Sequence, residues 1–362
     1  MKYAVIVTGT DPESRRGGIG FALPGYLAAM DSARIEYTSI PTYHPISFGG
    51  SWLMWLRALP NIARRIRAIK KDGKSVIVYS HPGAGVSLFR EGVVLAMAQF
   101  CGAATLMQLH ALEVDEYLKS PWKKWAFWIV VGPASGLAVL TPWWRQRLKD
   151  HRIGKPLFVI PNPLPPAWEK ITFTRRRKKT SEEPFTVLTL TRLEPGKGVD
   201  LVIEAMKFLD EKIRLVIGGE GSLRQSLETR VLHLGIQDRV LFAGWVKGRE
   251  KGRLLESADI FCLPTSYDSF GMGFLEAMAY GLPVIALDFG PVADVVCDGR
   301  SGLLLNGKSP EGLAKLIARL VDSETRKRMG MNGQAWVMEK FSSAIVGTQL
   351  KSAFEALIIG RR

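Results

Sequence analysis

The sequence has few of the residues that build disulfide frameworks or metal sites. It contains three cysteines and five histidines among 362 residues. Cys101, Cys262 and Cys297 stand far apart, with no CxxC pair and no histidine cluster beside them. This pattern argues against disulfides and against a zinc site. The sequence also lacks a DxD pair and any His/Asp cluster with ligand spacing, so we expect no bound metal and no cofactor.

Long apolar runs are also missing. A membrane-spanning helix needs about 18 consecutive apolar residues, and no segment offers them. The nearest, WAFWIVVGPASGLAVL at 125–140, is interrupted by Gly132, Pro133 and Gly136. The N-terminal MKYAVIVTGT has one lysine and a short apolar stretch, which is typical of a first buried strand and not of a signal peptide. We therefore expect a cytoplasmic protein.

Positive charge, by contrast, is in excess. The chain has 49 Lys plus Arg against 34 Asp plus Glu, a formal net charge of +15. Such a balance favours an anionic partner: a phosphorylated ligand, a nucleic acid or an anionic lipid surface. The sign of the charge does not choose between these partners.

Two series of short β-branched segments alternate with longer stretches of helical periodicity. The first series lies at 3–7, 75–79, 105–109, 137–140 and 157–160, and the second at 185–190, 214–217, 240–242, 260–263, 283–286 and 302–304. This alternation predicts an α/β fold with parallel buried strands in two doubly wound, Rossmann-like domains. We place the domains at 1–168 and 169–344, with a C-terminal helix of about 345–362 that crosses back onto the first.

A segment rich in proline and then in charge separates the two series. IPNPLPPAWEKITFTRRRKKTSEEP, at 160–184, continues neither a strand nor a helix pattern and suits an exposed connection with the boundary near Trp168. We interpret RRRKK at 175–179 as part of a solvated linker, with phosphate or lipid binding as the alternative.

The most informative segment is ADIFCLPTSYDSFGMGFLEAMAYGLPVIALDFG, at 258–290. It predicts a strand, a polar loop, a glycine-containing turn, a short helix and another strand. Gly271 and Gly273 allow close backbone approach, and the amides that open the helix suit a phosphate or a sugar hydroxyl. Asp268 and Glu276 flank the turn, where their carboxylates can accept hydrogen bonds from a polyhydroxylated ligand. For Glu276 alone, the alternative is a charge that complements the helix dipole.

A second segment, TLTRLEPGKGVDLVIEAM at 189–206, places two cations after a buried strand. Arg192 and Lys197 lie in a turn opened by Gly196 and Gly198, just before a helix. Two cations beside exposed amides can bind a pyrophosphate and neutralise a departing diphosphate. The alternative is a pair of solvated strand-end cations.

These motifs, in this order, resemble the retaining glycosyltransferases of family four, which have the GT-B fold. DSFGMGFLEAMAYGLPVIA is similar to the family signature, in which two glutamates bracket seven residues; Asp268 stands at the first position and Glu276 matches the second. The resemblance implies that Glu276 binds the ribose hydroxyls of the donor. It implies that Arg192 and Lys197 bind the diphosphate, and that the transferred sugar is held by Asp268 with the amides of Phe270, Gly271 and Met272.

The resemblance also assigns residues outside the acidic segment. Gly219, in LVIGGEGSLRQSLE, is similar to the loop beside the nucleotide, and Val246 of FAGWV falls where the base packs. In the first domain, RRGGIGFALPGYL offers Gly17 and Gly18, which would approach the donor phosphates. A full GxGxxG and a ribose-binding acid after the second strand are absent, which argues against NAD binding.

Two histidines follow predicted strands of the first domain. His110, in TLMQLHALEVDEY, is at the expected carboxyl edge facing the interdomain cleft and matches the family's active-site histidine near the transferred sugar. A lone histidine is more often structural, which is the alternative. His81, in YSHPGAG, either lines the acceptor side or belongs to a turn before Pro82.

Two segments combine apolar and basic residues. WLMWLRALPNIARRIRAIKK at 52–71 predicts a basic amphipathic helix, with Pro60 as one option for its first residue. Its apolar positions at helical spacing are Trp55, Leu59, Ile62, Ile66 and Ile69. PWKKWAFW at 121–128 mixes tryptophans with lysines, as suits a lipid headgroup boundary. Peripheral binding to the inner face of the cytoplasmic membrane is one interpretation, and ordinary core packing with a solvated basic face is the other.

The resemblance implies retaining, metal-independent transfer of a hexose-type sugar from a nucleoside diphosphate sugar to a glycan or glycolipid, in cell-envelope polysaccharide, lipopolysaccharide or glycolipid synthesis. The expected partners are a nucleotide-sugar donor, a glycan or lipid-linked acceptor and an anionic membrane surface, with no nucleic acid. Two alternatives stand. A nucleotide-sugar epimerase on the same fold would need no acceptor. A basic membrane or nucleic-acid adaptor would leave the ordered Gly17/Gly18, Arg192/Lys197 and Asp268/Glu276 motifs unexplained.

Overall fold

The protein consists of two compact units. The computed structural model describes residues 2–13, 17–44, 48–110, 112–171 and 183–360. The first unit comprises residues 1–166 together with 341–362, and the second comprises residues 167–340. The predicted linker cations at 175–179 lie outside the described residues.

A six-stranded parallel sheet forms the centre of the first unit. Its strands are β1 (Tyr3–Thr10), β2 (Tyr37–Tyr43), β3 (Ser75–His81), β4 (Ala104–Leu109), β5 (Gly136–Val139) and β6 (Leu157–Val159), in the spatial order β2-β1-β3-β4-β5-β6. The sequence analysis missed β2. This strand lies at the sheet edge and is mostly half-buried, so it carries no continuous apolar run, and an edge strand tolerates its Pro41.

Helices flank this sheet. They are α1 (Gly17–Ser32), α2 (Phe48–Lys71), α3 (Val86–Phe100), α4 (Glu113–Lys119), α5 (Pro121–Val131) and α6 (Pro142–Asp150), with α14 (Ser343–Ile359) from the end of the chain. Helix α14 packs tightly on α1, since a Cβ on Gly347 would lie 2.3 Å from the carbonyl oxygen of Ala29. The Phe354 ring meets the Tyr79 ring edge-on at 5.4 Å, which joins α14 to the sheet core.

Helix α2 is continuous, and one apolar face of it is buried. Pro60 lies inside the helix, so the option that it is the first helical residue is wrong. Trp55, Ile62, Ile66 and Ile69 are buried, which makes this face part of the core, as the packing alternative expected. Among the described residues, no helix is both long and apolar enough to cross a membrane.

A second six-stranded parallel sheet forms the centre of the second unit. Its strands are β7 (Phe185–Leu190), β8 (Ile213–Gly218), β9 (Val240–Gly244), β10 (Ile260–Leu263), β11 (Val284–Leu287) and β12 (Gly302–Leu305), in the spatial order β12-β11-β10-β7-β8-β9. The helices are α7 (Pro166–Glu169, which starts at the division), α8 (Val199–Ala205), α9 (Arg224–His233), α10 (Gly248–Ser257), α11 (Met272–Ala279), α12 (Pro310–Arg319) and α13 (Ser323–Phe341). Two parallel sheets with helices confirm the predicted α/β class.

The strand order positions the functional loops. Strand β7 lies between β10 and β8, so the chain leaves β7 toward one side of the sheet and returns through β10 on the other. At such a switch point the loops after neighbouring strands diverge and leave a crevice at the carboxyl edge. The cation-bearing loop follows β7 and the acidic segment follows β10, so the fold itself brings the two strongest motifs together.

Candidate active site

Two glycines shape the turn after β7. Gly196 and Gly198 have φ values of +84° and +73°, in the left-handed region that favours glycine. A Cβ on Gly198 would lie 2.3 Å from the carbonyl oxygen of Pro264. The Ser266 amide donates to the Gly196 carbonyl at 2.8 Å. The turn after β7 is therefore tied to the loop after β10, with Lys197 held between the two glycines.

Lys197 and Asp268 form an ion pair across these two loops. The Lys197 ammonium donates to Asp268 Oδ2 at 2.8 Å and to the Tyr267 carbonyl oxygen at 2.6 Å. The Lys197 side chain is 8% exposed, whereas that of Asp268 is 24% exposed. The sequence analysis assigned both residues to the site but did not predict that they pair. The cation is the buried member, and the carboxylate remains partly accessible.

Arg192 lies in the same loop and is exposed to solvent. Its backbone neighbours are fixed, because the Thr191 amide donates to the Gly218 carbonyl at 3.0 Å and the Leu193 amide to the Glu220 carbonyl at 2.9 Å. A solvated guanidinium on a fixed backbone is available to an anionic ligand.

The glycine-rich loop after β8 packs directly against the loop after β7. Gly219 has φ +145°, and a Cβ there would lie 1.7 Å from the Thr191 carbonyl oxygen. The Gly219 amide donates to the Gly244 carbonyl at 2.7 Å. Val246 is half-buried beside this loop, with a methyl group 3.0 Å from the position of a Cβ on Gly218. The fold therefore requires glycine at 219 with or without a nucleotide.

Buried aromatic rings anchor the start of α11. Gly271 precedes the helix with φ +87°, and a Cβ there would lie 2.4 Å from the Phe274 ring. The Phe274 amide donates to the Gly271 carbonyl at 3.0 Å, and Phe270 and Phe274 are both buried. The predicted residues Phe270, Gly271 and Met272 thus lie together at the helix N-terminus, where the helix dipole favours an anion or a hydroxyl oxygen.

Glu276, on α11, pairs with a residue that the sequence analysis missed. Its side chain is 7% exposed and accepts from the ammonium of Lys251 on α10, whose side chain is 29% exposed. The Lys251 ammonium also lies 5.6 Å from the centre of the Trp168 ring. Burial raises the pKa of Glu276, and the charge and hydrogen bond of Lys251 oppose that rise. Lys251 stands in the charged stretch GREKGR at the start of α10, so nothing in the sequence distinguished it from a solvated face.

In the first unit, Gly17 begins α1, which follows β1 at the carboxyl edge of the sheet. A Cβ on Gly18 would have no heavy atom of its surroundings within 4 Å. Packing among the described residues therefore does not explain glycine at position 18, and the open space there is compatible with the predicted approach of a ligand.

His110 forms a buried pair with His81 in the first unit. His81 Nδ1 lies 2.9 Å from His110 Nε2, and the stacked rings are 5.2 Å apart. Burial lowers the pKa of His81 and brings that of His110 to about 3, so both rings are neutral at physiological pH. The pair can exchange a hydrogen bond but holds no positive charge. The described residues contain no cluster of three or more His, Cys, Asp or Glu side chains arranged to hold a metal ion.

Known proteins resemble both units. The family Glycosyl transferases group 1 matches residues 170–336. A D-inositol 3-phosphate glycosyltransferase from Corynebacterium efficiens is 32% identical over 343 residues, which cover 91% of this chain and 74% of that protein. A GDP-mannose-dependent alpha-(1-6)-phosphatidylinositol monomannoside mannosyltransferase from Mycobacterium tuberculosis is 33% identical over 174 residues, and the chain spans about half of its length, 45%.

Solved structures support the fold. The Anabaena protein Alr3699/HepE, crystallised with UDP and glucose, is 17% identical and superposes with a TM-score of 0.68 over 96% of this chain and 99% of that one. The likeness confirms the predicted GT-B fold. Because the Corynebacterium relative is 32% identical over nearly the whole chain and the family itself matches the second unit, this protein belongs to the glycosyl transferases group 1 family.

Proposed function

We propose that the protein transfers a hexose-type sugar from a nucleoside diphosphate sugar to a glycan or glycolipid acceptor, with retention at the anomeric carbon. The observation that carries this proposal is the gathering of Lys197, Asp268 and the N-terminus of α11 at the carboxyl ends of β7 and β10. Arg192 adds an exposed cation in the same loop. A fixed positive charge suits a diphosphate, and a neighbouring carboxylate that accepts hydrogen bonds suits the hydroxyl groups of a sugar.

Charge placement supports the proposed chemistry. The bond between the anomeric carbon and the donor's phosphate oxygen breaks, and negative charge develops on the departing diphosphate. Lys197, Arg192 and the amides of α11 stabilise that charge in an environment already organised for it. The acceptor hydroxyl bonds to the anomeric carbon on the same face and passes its proton to the departing phosphate. The protein's own cations supply the charge that a metal would otherwise supply.

The contributions of the two carboxylates and of His110 are part of the proposal. Asp268, whose side chain is 24% exposed, would accept a hydrogen bond from the transferred sugar, and Glu276 would accept one from the ribose. We assign the base to the half-buried region of Val246 and Gly219. His110, being neutral, would act as a hydrogen-bonding partner of the sugar and not as a cation.

The names of the relatives narrow the ligands to be tried. The Mycobacterium relative is named as GDP-mannose-dependent and as acting on a phosphatidylinositol mannoside, and the Anabaena structure contains UDP and glucose. The Corynebacterium relative is named for inositol 3-phosphate. We therefore propose a UDP- or GDP-linked hexose as donor and a lipid-linked or polyhydroxylated acceptor.

A thermal-shift panel tests the donor assignment. UDP, GDP, ADP and their sugars are added to the wild type and to Glu276→Ala. We expect one base series to raise the melting temperature of the wild type, with a smaller rise in the variant. No rise with any nucleotide would contradict the proposal. Conversion of the bound nucleotide sugar to an epimer without an added acceptor would favour an epimerase.

We further propose that the first unit binds an anionic membrane surface at the inner face of the cytoplasmic membrane. Trp122 and Trp125 on α5 are 68% and 69% exposed, and Lys123 and Lys124 lie between them in sequence. Exposed apolar side chains also lie near the start of α2, namely Trp52, Leu53 and Leu56. Tryptophan beside lysine suits a headgroup boundary, with indoles in the interface and cations at the lipid phosphates.

Co-sedimentation with liposomes tests this surface. We expect the wild type to bind vesicles containing anionic phosphatidylglycerol more strongly than neutral vesicles, and a Trp122→Ala/Trp125→Ala variant to lose most of that binding. Phe208→Ala is the control, since Phe208 is an exposed aromatic residue of the second unit. Equal sedimentation with both lipids, at low as well as at high salt, would contradict membrane binding.

A further inference from the structure

The ion pair between Lys251 and Glu276 leaves the two carboxylate oxygens in different states. Lys251 engages Oε2 of Glu276. Among the described residues, no hydrogen-bond donor contacts Oε1. This oxygen is also not fully enclosed by the protein. One oxygen is therefore fixed by the protein, while the other retains some access and can accept a further hydrogen bond.

The charged surroundings of Glu276 depend on Lys251. Tyr280, at the end of the same helix, has a raised pKa through burial and then through the charges of Glu276 and Glu256, so it stays neutral. From α13, Gln334 donates to the Ala279 carbonyl at 3.0 Å and is uncharged. Lys251 is therefore the cation that opposes the burial of this carboxylate among the described groups that face it.

Lys251 is itself held in place from the other side. Its ammonium lies 5.6 Å from the centre of the Trp168 ring, within the range of a cation–π interaction. A lysine head fixed between an indole and a carboxylate loses less freedom on ligand binding than a mobile surface lysine. The arrangement resembles a support for Glu276 more than an incidental surface ion pair.

We propose that Lys251 is a positioning residue for the nucleoside of the donor: it holds Oε2 of Glu276 and opposes protonation of the carboxylate, so that Oε1 can accept a hydrogen bond from a ribose hydroxyl. This inference rests on the proposed function. A protonated carboxyl would present a donor in place of one acceptor, and a carboxylate without Lys251 would be free to rotate. Lys251 thereby acts through Glu276 and need not touch the ligand.

The test compares Lys251→Met, Lys251→Arg and Lys327→Met with the wild type. Methionine keeps the length and apolar character of the lysine stem, arginine keeps the charge, and Lys327→Met removes a charge from an exposed site on α13. Dissociation constants for UDP, dUDP, GDP and dGDP are measured by calorimetry between pH 6 and pH 8.5. The ligand phosphates titrate alike in every titration, so their contribution cancels in the ratio of variant to wild type.

The expected result has a specific sign. Without Lys251 the pKa of Glu276 rises further, so Lys251→Met should bind the preferred ribonucleotide about tenfold more weakly than the wild type at pH 6, and this loss should shrink as the pH is raised to 8.5. Its preference for ribose over deoxyribose should shrink, while Lys251→Arg recovers part of both effects. Lys327→Met should match the wild type at every pH.

Three results overturn the inference. A pH-independent ratio near one for Lys251→Met, in a wild type that binds nucleotide, removes Lys251 from nucleoside recognition but leaves the proposed function standing. An unchanged ribose preference in Lys251→Met does the same. Failure of the wild type to bind any of the four nucleotides overturns the inference together with the proposed donor site.

Discussion

Two ion pairs of the candidate site, Lys197–Asp268 and Lys251–Glu276, have opposite arrangements of burial. In the first pair the cation, Lys197, is enclosed and the carboxylate of Asp268 is the more accessible partner. In the second pair the carboxylate of Glu276 is enclosed and Lys251 is the more accessible partner. The enclosed member of each pair is fixed by the fold, so the first pair presents a fixed cation and the second a fixed acceptor. A fixed cation suits the binding of a diphosphate, and a fixed acceptor suits the hydroxyls of a ribose.

The opposite burial also predicts opposite responses when a partner is lost. An enclosed charge that loses its partner is strongly destabilised or changes its protonation. Glu276 can relieve this by binding a proton, because burial already raises its pKa. Lys197 has a second acceptor, the Tyr267 carbonyl oxygen, so it stays anchored when Asp268 is changed.

Removal of the enclosed cation should have the largest effect. Lys197→Met removes charge from the place where the departing diphosphate gains it, and we expect transfer to fall about 100-fold or more. The measurement is the initial rate of nucleoside diphosphate release from the nucleotide sugar that stabilises the wild type most. Lys327→Met serves as the matched loss of one charge at an exposed site. A Lys197→Met rate within threefold of the wild type would remove Lys197 from the reaction.

Substitution of the two carboxylates should have different effects on the affinities for free nucleotide and for nucleotide sugar. Glu276→Gln should weaken both ligands about tenfold, since each contains the ribose. Asp268→Asn should weaken the nucleotide sugar but leave the free nucleoside diphosphate within about twofold, since its proposed contact is with the sugar. Calorimetric titration of both ligands into both variants makes the comparison. If Asp268→Asn lost the same affinity for both ligands, the assignment of Asp268 to the sugar would be contradicted.

Glu276 should also affect stability, with a defined dependence on pH. A carboxyl group whose pKa is raised by folding contributes stability at low pH that is lost as pH rises through the raised value. Glu276→Gln should therefore raise the melting temperature at pH 7 by about 3 °C, for a gain of about 1 kcal/mol. The difference should disappear by about pH 3, well below the unperturbed glutamate pKa of about 4.3, where the carboxyl is protonated in both states. A variant less stable than the wild type at pH 7 would contradict this reading of the ion pair.

The histidine pair of the first unit should show the smallest effect, since neither ring is charged. Burial lowers the pKa of both His81 and His110, to about 3 for the latter, so neither should titrate in the folded protein between pH 8 and pH 5. The ring nitrogens in a ¹⁵N-histidine NMR titration should stay unchanged over this range, with free histidine as the reference. Folding stability should decline as pH falls below about 6.5, because these histidines then bind protons in the unfolded chain but not in the folded protein. A shift of either ring near pH 6.5 would contradict the neutral pair.

Most of the fold was predictable from the sequence because parallel buried strands are continuous apolar runs. Each of the six strands of the second unit carries an apolar stretch and was recognised, including the half-buried edge strand β9. Strand β2 was missed because an edge strand with Pro41 does not need an apolar run. The start of α2 was uncertain because Pro60 often marks a helix start, and here tertiary packing of the buried isoleucines keeps the helix continuous through it.

The residues of the candidate site were predictable only where they lie within a recognisable sequence motif. Lys197, Asp268 and Glu276 lie in recognisable motifs, but their partners are a matter of tertiary structure. Lys251 lies on a helix with several other charges, and Trp168 lies in the proline-rich connection, so no spacing in the sequence links them to Glu276. Likewise, Gly219 resembles a glycine of the loop beside the nucleotide, yet its close approach to the Thr191 carbonyl oxygen already requires glycine.

Hydrogen exchange of the wild type with and without saturating nucleoside diphosphate tests the donor site most directly. The account predicts slower exchange in three parts of the second unit: 191–198 after β7, 218–221 after β8, and 267–276 around the start of α11. Protection should be greatest where Lys197 and the α11 amides meet the diphosphate. Protection confined to the first unit, or no protection by any of UDP, GDP and ADP, would contradict the account.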